Sequence, residues 1–214
     1  LVDSVPAQAS AVDFHIFKNV PVAGGMGGGS ADAAAALMAV SELANMNLNQ
    51  EQLHRIASEL GADVPFSLLG GTAVGTGHGT ELTQIEKVKP LNWVLVTNPK
   101  GLSTPSVYRK LDEMRSAKNQ DPTKVATPVV PQELIAALQS GDAKLIAKLL
   151  HNDLQEAAVA LMPELAETMN AGIAAGALAA MVSGSGPTVA LLAIDKGHAD
   201  LIAGVLIRQG HSAI

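Results

Sequence analysis

The chain has 214 residues, of which 48% are hydrophobic and 16% charged, a composition typical of one or two globular domains and not of a disordered segment. Its formal net charge of −6 argues against a nucleic-acid partner, and the absence of cysteine excludes disulfides and thiolate metal sites. The sequence has no run of about 18 apolar residues and no basic-then-apolar leader, which predicts no membrane association and a cytoplasmic location.

The first predicted element is a β-strand over residues 11–18. Aromatic and β-branched residues are concentrated there, as is typical of strands. We expect Phe14 and Phe17 in this run to lie in the core, and we expect the same of Phe66 and Trp93, because large aromatic side chains are most simply buried.

A glycine-rich loop comes next, with five glycines among the six residues 24–29, and it runs directly into an alanine-rich helix. Glycine permits positive φ and leaves backbone N–H groups uncovered, while a helix N-terminus adds unpaired donors and partial positive charge. The combination predicts a site for the phosphates of a nucleotide, with a flexible linker as the alternative. The loop follows neither the P-loop nor the dinucleotide fingerprint. Its residues are Pro21, Val22, Ala23, Gly24, Gly25, Met26, Gly27, Gly28, Gly29, Ser30 and Ala31.

Two helices are predicted after the loop. Apolar residues recur at helical spacing from about residue 30 to residue 45. A second helix is expected to begin after Asn49, where Gln52 completes a capping box, and to end at Gly61.

Asp63 follows this second helix directly. Pro65 predicts that residues 63–65 are turn or extended, because the residue before a proline avoids the helical region. A carboxylate in such a glycine-flanked turn is a candidate general base for a hydroxyl, although aspartate is also a common turn former.

The rest of the chain is predicted to alternate strands and helices. Residues 70–82 should form short strands around a tight turn, and the polar stretch at 87–90 suggests two domains, 1–89 and 90–214. The other predicted elements are a strand at 92–97, a helix at 106–114, a surface loop at 115–128, helices at 131–139, 143–150 and 163–175, strands at 178–182 and 188–193, and a helix at 199–208.

A second glycine-rich turn, at residues 183–187, separates the last two predicted strands. It is either a plain hairpin turn or a second group of backbone donors beside a phosphate. Tyr108 is one of only five aromatic residues and lies at the start of an exposed helix, where it either stacks on a planar ligand group or is partly buried. The six histidines show neither metal-ligand spacing nor a hydrolase pattern.

Together these motifs resemble the GHMP family of small-molecule kinases. The loop at 21–31 resembles the family's phosphate loop, and residues 182–188 resemble its C-terminal glycine motif. A member of the family that acts on a cytidine diphosphate derivative is similar over nearly the whole chain. The segments that carry this closer similarity are 18–21, 61–66, 70–82 and 101–108.

The resemblance implies ATP and Mg²⁺ as cofactors. Backbone N–H groups from Gly24 to Ser30 would hold the β- and γ-phosphates, Ser30 would lie near Mg²⁺, and Lys18 would lie along the nucleotide. Asp63 would orient or deprotonate the acceptor hydroxyl. Phosphoryl transfer needs this kind of positioning and charge neutralisation more than covalent chemistry.

The resemblance also implies a small-molecule substrate that is a cytidine diphosphate derivative. Thr104 and Tyr108 match positions near the cytidine, where an aromatic ring stacks on the base. Gly184, Ser185 and Gly186 would line the active site from the second domain. Neither nucleic acid nor a membrane is an expected partner, and a homodimer stays open.

The fold implied is α+β, a two-domain GHMP kinase fold. An incomplete part like domain 2 of ribosomal protein S5 would precede a ferredoxin-like C-terminal domain. Nothing before Lys18 resembles the family's N-terminal lysine motif, so we expect a piece of a longer enzyme that is weakly active or inactive alone. The alternatives are another kinase of the family, of homoserine or mevalonate type, and a nucleotide-binding module without catalysis.

Overall fold

The computed structural model describes residues 12–118, 121 and 124–214. Their contacts divide them into two compact units. The first unit contains the described residues up to Asn19 together with Gly27–Glu86, and the second unit contains Val20–Met26 together with the described residues from Lys87 onward. The glycine-rich loop therefore changes unit between Met26 and Gly27. The domain limits at residues 89 and 90 stay a prediction.

The first unit is a small helical cluster followed by a hairpin. Its elements are α1 (Gly28–Leu43), α2 (Gln50–Leu60), α3 (Val64–Leu69), β1 (Ala73–Thr76) and β2 (Glu81–Gln84). The three helices pack together around Ala34 and Leu37 of α1, Ile56 and Ala57 of α2, and Val64 of α3. β1 and β2 pair antiparallel, which confirms the predicted turn between two short strands.

The predicted capping box at the start of α2 is confirmed. The Asn49 side chain accepts a hydrogen bond from the Gln52 backbone N–H at 2.9 Å, and the Gln52 side chain accepts one from the Asn49 N–H at 2.9 Å. This reciprocal pair satisfies two N–H groups that a helix start otherwise leaves open.

The second unit is built on a sheet. Its elements are β3 (Asn92–Thr97), α4 (Thr104–Ala117), α5 (Gln132–Ser140), α6 (Ala143–Leu149), α7 (Gln155–Leu161), α8 (Glu164–Ala174), β4 (Ala179–Val182), β5 (Val189–Ala193), α9 (Lys196–Arg208) and β6 (Ser212–Ala213). In the described chain the four strands β4-β5-β3-β6 pair antiparallel in that order. A strand order of this kind, with helices after the first and third strands, confirms the predicted ferredoxin-like, α+β arrangement.

The sheet is covered on both faces, as period-two alternation along its strands requires. Val94 of β3 and Leu191 of β5 belong to the large core formed with α4, α7, α8 and α9. The neighbouring Trp93 and Leu192 point the other way, into a smaller core with α5 and α6. Among the described helices, none has the length and apolar character needed to cross a bilayer.

The predicted N-terminal strand is wrong over the residues that the structure describes. Residues 12–18 have no regular structure, and Ala11 lies outside the described residues. Within the described chain no strand pairs with this segment, so its aromatic and β-branched residues have no sheet to join. Phe14 and Phe17 are accordingly 52% and 89% exposed, and Phe66 on α3 is 40% exposed, which corrects their assignment to the core.

The prediction that residues 63–65 are turn or extended holds at Asp63, which lies in a turn, but is wrong at Val64 and Pro65, because α3 begins at Val64 with the proline in its first turn. A proline is tolerated there, since its missing N–H would have no partner in a first helical turn. Helices α1, α4 and α9 begin two or three residues before their predicted starts, so Asp32 lies in the second turn of α1. The short α7 and the two-residue β6 were not predicted, and α4 runs to Ala117, into the stretch predicted as a surface loop.

Candidate active site

The N-terminus of α1, in the first unit, is open to a ligand. Gly27 is the N-cap residue, with φ +63°, and no side chain caps the helix there. The first intrahelical hydrogen bond runs from the Ala31 N–H to the Gly27 carbonyl at 2.9 Å. A Cβ added at Gly27 or Gly29 would meet nothing within 4 Å. The N–H groups of this first turn, which includes Ser30, therefore keep the space and the partial positive charge that suit an anion.

Lys18, also in the first unit, is fixed to this helix. Its Nζ donates a hydrogen bond to Oδ2 of Asp32, in the second turn of α1. Both side chains are partly exposed, 29% and 37%. The ion pair holds Lys18, which is predicted to lie along the nucleotide, on α1, the helix with the open N-terminus.

Asp63 is the N-cap residue of α3, in the same unit, and is exposed. Its carboxylate makes no cap hydrogen bond, whereas its main-chain carbonyl accepts from the Ser67 N–H at 3.1 Å and the Ser67 hydroxyl at 3.0 Å. The next residue, Val64, is buried in the core shared with Ala34 and Leu37 of α1. The backbone at Asp63 is therefore held firmly, while its carboxylate is available to accept a hydrogen bond from a hydroxyl.

In the second unit, the first half of the glycine-rich loop packs on the second glycine turn. The Thr188 N–H donates to the Gly24 carbonyl at 3.3 Å, and the Ser183 hydroxyl donates to the Gly25 carbonyl at 2.8 Å. Gly25 has φ +72°, and a Cβ there would lie 2.5 Å from the Ser183 carbonyl oxygen and 2.6 Å from that of Gly186. No side chain fits between these two backbones.

The second glycine turn also meets the start of α4. Gly184 and Gly186 have φ +56° and +80°, and the Ser185 hydroxyl is 2.8 Å from the Thr104 hydroxyl. Ser185 is 8% exposed, whereas Tyr108, one helical turn after Thr104, is 54% exposed. The structure thus brings Thr104 and Ser185 together, and Tyr108 lies one turn further along α4 with about half of its surface exposed.

A charged pair lies close in sequence to this cluster. Lys100 precedes Gly101, whose added Cβ would be 3.3 Å from the Ala23 side chain, and the Lys100 ammonium donates to Glu164 at 3.0 Å. The pKa of Glu164 is lowered, first by a hydrogen bond from its own backbone N–H and then by the Lys100 ammonium.

Two polar residues of the second unit were missed by the sequence analysis, and a third, Thr188, was included only as the last residue of the predicted C-terminal glycine motif. Asn152 donates from Nδ2 to the Val182 and Gly184 carbonyls, both at 2.8 Å, and Gln155 accepts from the Val182 N–H at 3.1 Å. Thr188 is fully buried, and among the described residues its hydroxyl has no hydrogen-bond partner. Asn152 lies in a polar turn between two helical patterns, and nothing local indicates that it reaches residue 184.

Two family models match this sequence. Residues 2–71 match the family described as the GHMP kinases N terminal domain, and residues 134–212 match the GHMP kinases C terminal family. The chain belongs to the GHMP kinase family. The residues assigned to the phosphate loop, the acceptor and the substrate keep those roles as predictions.

Relatives within the GHMP kinases carry a more specific name. A 4-diphosphocytidyl-2-C-methyl-D-erythritol kinase from Pseudarthrobacter chlorophenolicus is 51% identical over 100% of this chain. The same kinase from Paenarthrobacter aurescens is 50% identical over 97% of the chain. The chain spans 66% and 65% of the lengths of these two relatives, slightly less than two thirds.

A solved GHMP kinase structure has the same fold. The crystal structure of a 4-(cytidine 5'-diphospho)-2C-methyl-D-erythritol kinase matches with a TM-score of 0.73 at 31% identity, over 92% of this chain and 67% of that one. Homoserine kinase from Cytophaga hutchinsonii matches with a TM-score of 0.69 at 19% identity, over 92% of this chain and 66% of that one. The second likeness, at this identity, shows the fold alone.

Proposed function

We propose that this protein is an ATP-dependent kinase that phosphorylates the 2-hydroxyl of 4-diphosphocytidyl-2-C-methyl-D-erythritol, a step in the non-mevalonate route to isoprenoid precursors. The observation that carries the proposal is the similarity to relatives of that name at about 50% identity over nearly the whole chain. Homoserine and mevalonate kinases, the alternative within the family, are supported only by fold likeness at 19–24% identity.

The open N-terminus of α1 supports ATP as the phosphate donor. The N–H groups of Gly28, Gly29 and Ser30 belong to a first turn that no side chain caps, and the empty space at the Gly27 and Gly29 Cβ positions lets a phosphate approach the backbone. Such donors stabilise the charge on the transferred group without changing their own positions. In the second unit, the carbonyls of Gly24 and Gly25, which belong to the same predicted loop, accept hydrogen bonds from Thr188 and Ser183.

Ser30 is the residue proposed to lie near Mg²⁺. In the parts of the chain that the structure describes, no three His, Asp or Glu side chains gather closely enough to hold a metal ion. Mg²⁺ usually binds through one or two protein oxygens together with phosphates and water, so a hydroxyl at the first turn of α1 fits such a site. When bound with ATP, the ion neutralises charge on the phosphates.

Asp63 is proposed to act on the acceptor. Its exposed carboxylate is not used to cap the helix. It can accept a hydrogen bond from the acceptor hydroxyl and orient the hydroxyl oxygen towards the phosphate of ATP that is transferred. The burial of Val64 against α1 keeps the carboxylate on a rigid element. Lys18, which pairs with Asp32 of α1, is proposed to lie along the nucleotide.

Thr104 and Tyr108 are proposed to bind the cytidine. The exposed Tyr108 ring can stack on a pyrimidine base, and the Thr104 hydroxyl, held by Ser185, can hydrogen-bond to the nucleoside. Gly184 and Gly186 give the turn the left-handed conformations that place Ser185 there.

The test measures ADP release with three acceptors: the cytidylylated methylerythritol, homoserine and mevalonate. Asp63→Asn, which keeps the shape and removes the base, should lower kcat by about 10²–10⁴-fold with the cytidylylated acceptor. Tyr108→Ala should weaken binding of that acceptor, and Tyr108→Phe, the matched control that keeps the ring, should not. Preference for homoserine or mevalonate would contradict the proposed substrate. An unchanged rate in Asp63→Asn would contradict the role of Asp63, and ATP binding without release of ADP with any acceptor would indicate a nucleotide-binding module without this chemistry.

A further inference from the structure

We infer that Asn152 is a positioning residue, which holds the second glycine turn in the shape that the proposed phosphoryl transfer needs. The inference concerns a residue outside the predicted site and rests on the proposed function. It is carried by the hydrogen bonds that the Asn152 carboxamide makes within the second unit.

The carboxamide of Asn152 uses both of its ends. Its Nδ2 donates to the carbonyls of Val182 and Gly184, each at 2.8 Å, and its Oδ1 accepts from the Leu154 N–H at 2.9 Å. The two carbonyls accept only and the Leu154 N–H donates only, so the partners allow one orientation of the amide. The short bond to Leu154 fixes Oδ1 locally, and this aims the two N–H bonds at the turn.

The bonded carbonyls lie on either side of Ser183, and Ser183 joins the two glycine-rich segments. Its N–H donates to the Thr188 carbonyl at 2.8 Å, and its hydroxyl donates to the Gly25 carbonyl at 2.8 Å. One residue beyond Gly184, the Ser185 hydroxyl meets that of Thr104 at 2.8 Å. Asn152 therefore fixes the backbone that carries both serines. Ser183 holds the backbone of Gly25 in the first glycine-rich loop, and Ser185 holds the side chain of Thr104, which is predicted to bind substrate.

The turn needs such an external constraint because of its composition. Glycine loses more conformational freedom on ordering than any other residue, and Gly184 and Gly186 both lie in this short turn at positive φ. Within the turn, the Gly186 N–H bonds to the Ser183 carbonyl at 2.8 Å, whereas the Gly184 carbonyl is held from outside by Asn152. An aspartate at position 152 would keep the bond to Leu154 but would place a carboxylate oxygen against two carbonyl oxygens.

The experiment compares the wild-type protein with Asn152→Asp, Asn152→Ala and Asn49→Asp. Asn49→Asp is the matched control, because it makes the same chemical change at a helix cap where only an acceptor is needed for the Gln52 N–H. The readouts are hydrogen exchange at the Ser183 and Gly186 amides, the dissociation constant for the cytidylylated acceptor, and kcat. Irreversibly misfolded protein in a preparation lowers apparent kcat but leaves the dissociation constant unchanged, so the two effects can be separated.

We expect Asn152→Asp to speed exchange at the turn, to weaken acceptor binding about tenfold, as one lost hydrogen bond can, and to lower kcat on the order of 10²-fold through misplacement. Asn152→Ala should have smaller effects on exchange, acceptor binding and kcat, and Asn49→Asp should change none of the three. Unchanged exchange or unchanged acceptor binding in both Asn152 variants would overturn the inference, and so would failure of both to fold, since Asn152 would then serve stability alone. A wild-type protein that phosphorylates homoserine or mevalonate in preference to this acceptor would instead refute the proposed function, while the exchange comparison would still decide whether Asn152 orders the turn.

Discussion

Replacing Gly25 with alanine tests whether the two glycine-rich segments are held backbone to backbone. The new Cβ would lie 2.5 Å from the Ser183 carbonyl oxygen and 2.6 Å from the Gly186 carbonyl oxygen, well inside any real carbon–oxygen contact. Both oxygens belong to backbone and cannot turn aside as a flexible side chain could. The substitution must therefore move one segment away from the other.

Two effects add to the expected loss of stability. Alanine at the Gly25 φ of +72° costs roughly 1–2 kcal/mol, as for any non-glycine residue in the left-handed region. Relieving the overlap with backbone costs a further 1–3 kcal/mol, roughly as overpacking does elsewhere. Gly184→Ala is the matched control, because Gly184 also has positive φ, at +56°, while its nearest atom to a new Cβ is 3.7 Å away. The total is roughly 2–5 kcal/mol for Gly25→Ala and roughly 1–2 kcal/mol for the control.

Urea denaturation followed by tryptophan fluorescence measures the difference. Trp93 is the chain's single tryptophan and lies on β3 of the second unit, the unit that holds Gly25 and Gly184. A shift of the midpoint at constant slope reports stability directly. Equal losses in the two variants would mean that the contact between the segments contributes nothing, and the close packing of Gly25 would then be refuted.

Two further predictions concern the same unit. Thr188→Val removes a buried hydroxyl that has no partner in the described chain, so the free energy of unfolding should rise by about 1 kcal/mol; a fall in the urea midpoint would show that the hydroxyl is satisfied. Lys100→Met should raise the pKa of Glu164 only part of the way to its ordinary value, because the bond from the glutamate's own N–H remains. The folded pKa is the lower one, so the stability that this carboxylate contributes is present above the unfolded pKa and is lost as pH falls through the folded pKa. NMR titration of the Glu164 carboxyl measures the shift, and an unchanged pKa would contradict the role of the ammonium.

Elements set by local sequence could be predicted closely. β3 has the predicted limits, because a short run of apolar residues between polar ones is typical of a buried strand and marks both of its ends. The capping box at Asn49 and Gln52 was predicted because both partners lie within one turn. The positions of the hairpin in the first unit and of both glycine segments follow from glycine alone.

Elements that depend on distant partners could not be predicted from the sequence. The segment 12–18 has the pattern of a strand, but pattern does not show whether a neighbouring strand exists. At Val64, the general preference of residues before proline predicted a turn or extended chain, and burial of that side chain against α1 and α2 outweighed it. β6 is only two residues long and is defined by its pairing with β3.

The candidate site shows the same division. Thr104 and Ser185 were both predicted to bind substrate, but the 2.8 Å contact between their hydroxyls joins residues far apart in the chain and has no local signal. Asn152 lies in a sequence turn, where asparagine is common for reasons unrelated to function. Its bonds to Val182 and Gly184 appear only once the fold brings α7 beside β4.

The glycines of the loop at residues 21–31 have two different explanations, although the sequence presents them as one motif. Gly25 is glycine because backbone oxygens occupy the place of its side chain, so protein packing alone explains it. Gly29 lies in the first turn of α1, where a Cβ would touch nothing and where alanine would stabilise the helix by about 0.5–1 kcal/mol. A glycine that lowers helix stability without any contact in the protein is most simply explained by a ligand that needs the space. This makes the start of α1, and not the packed half of the loop, the part of the motif that argues for a bound phosphate.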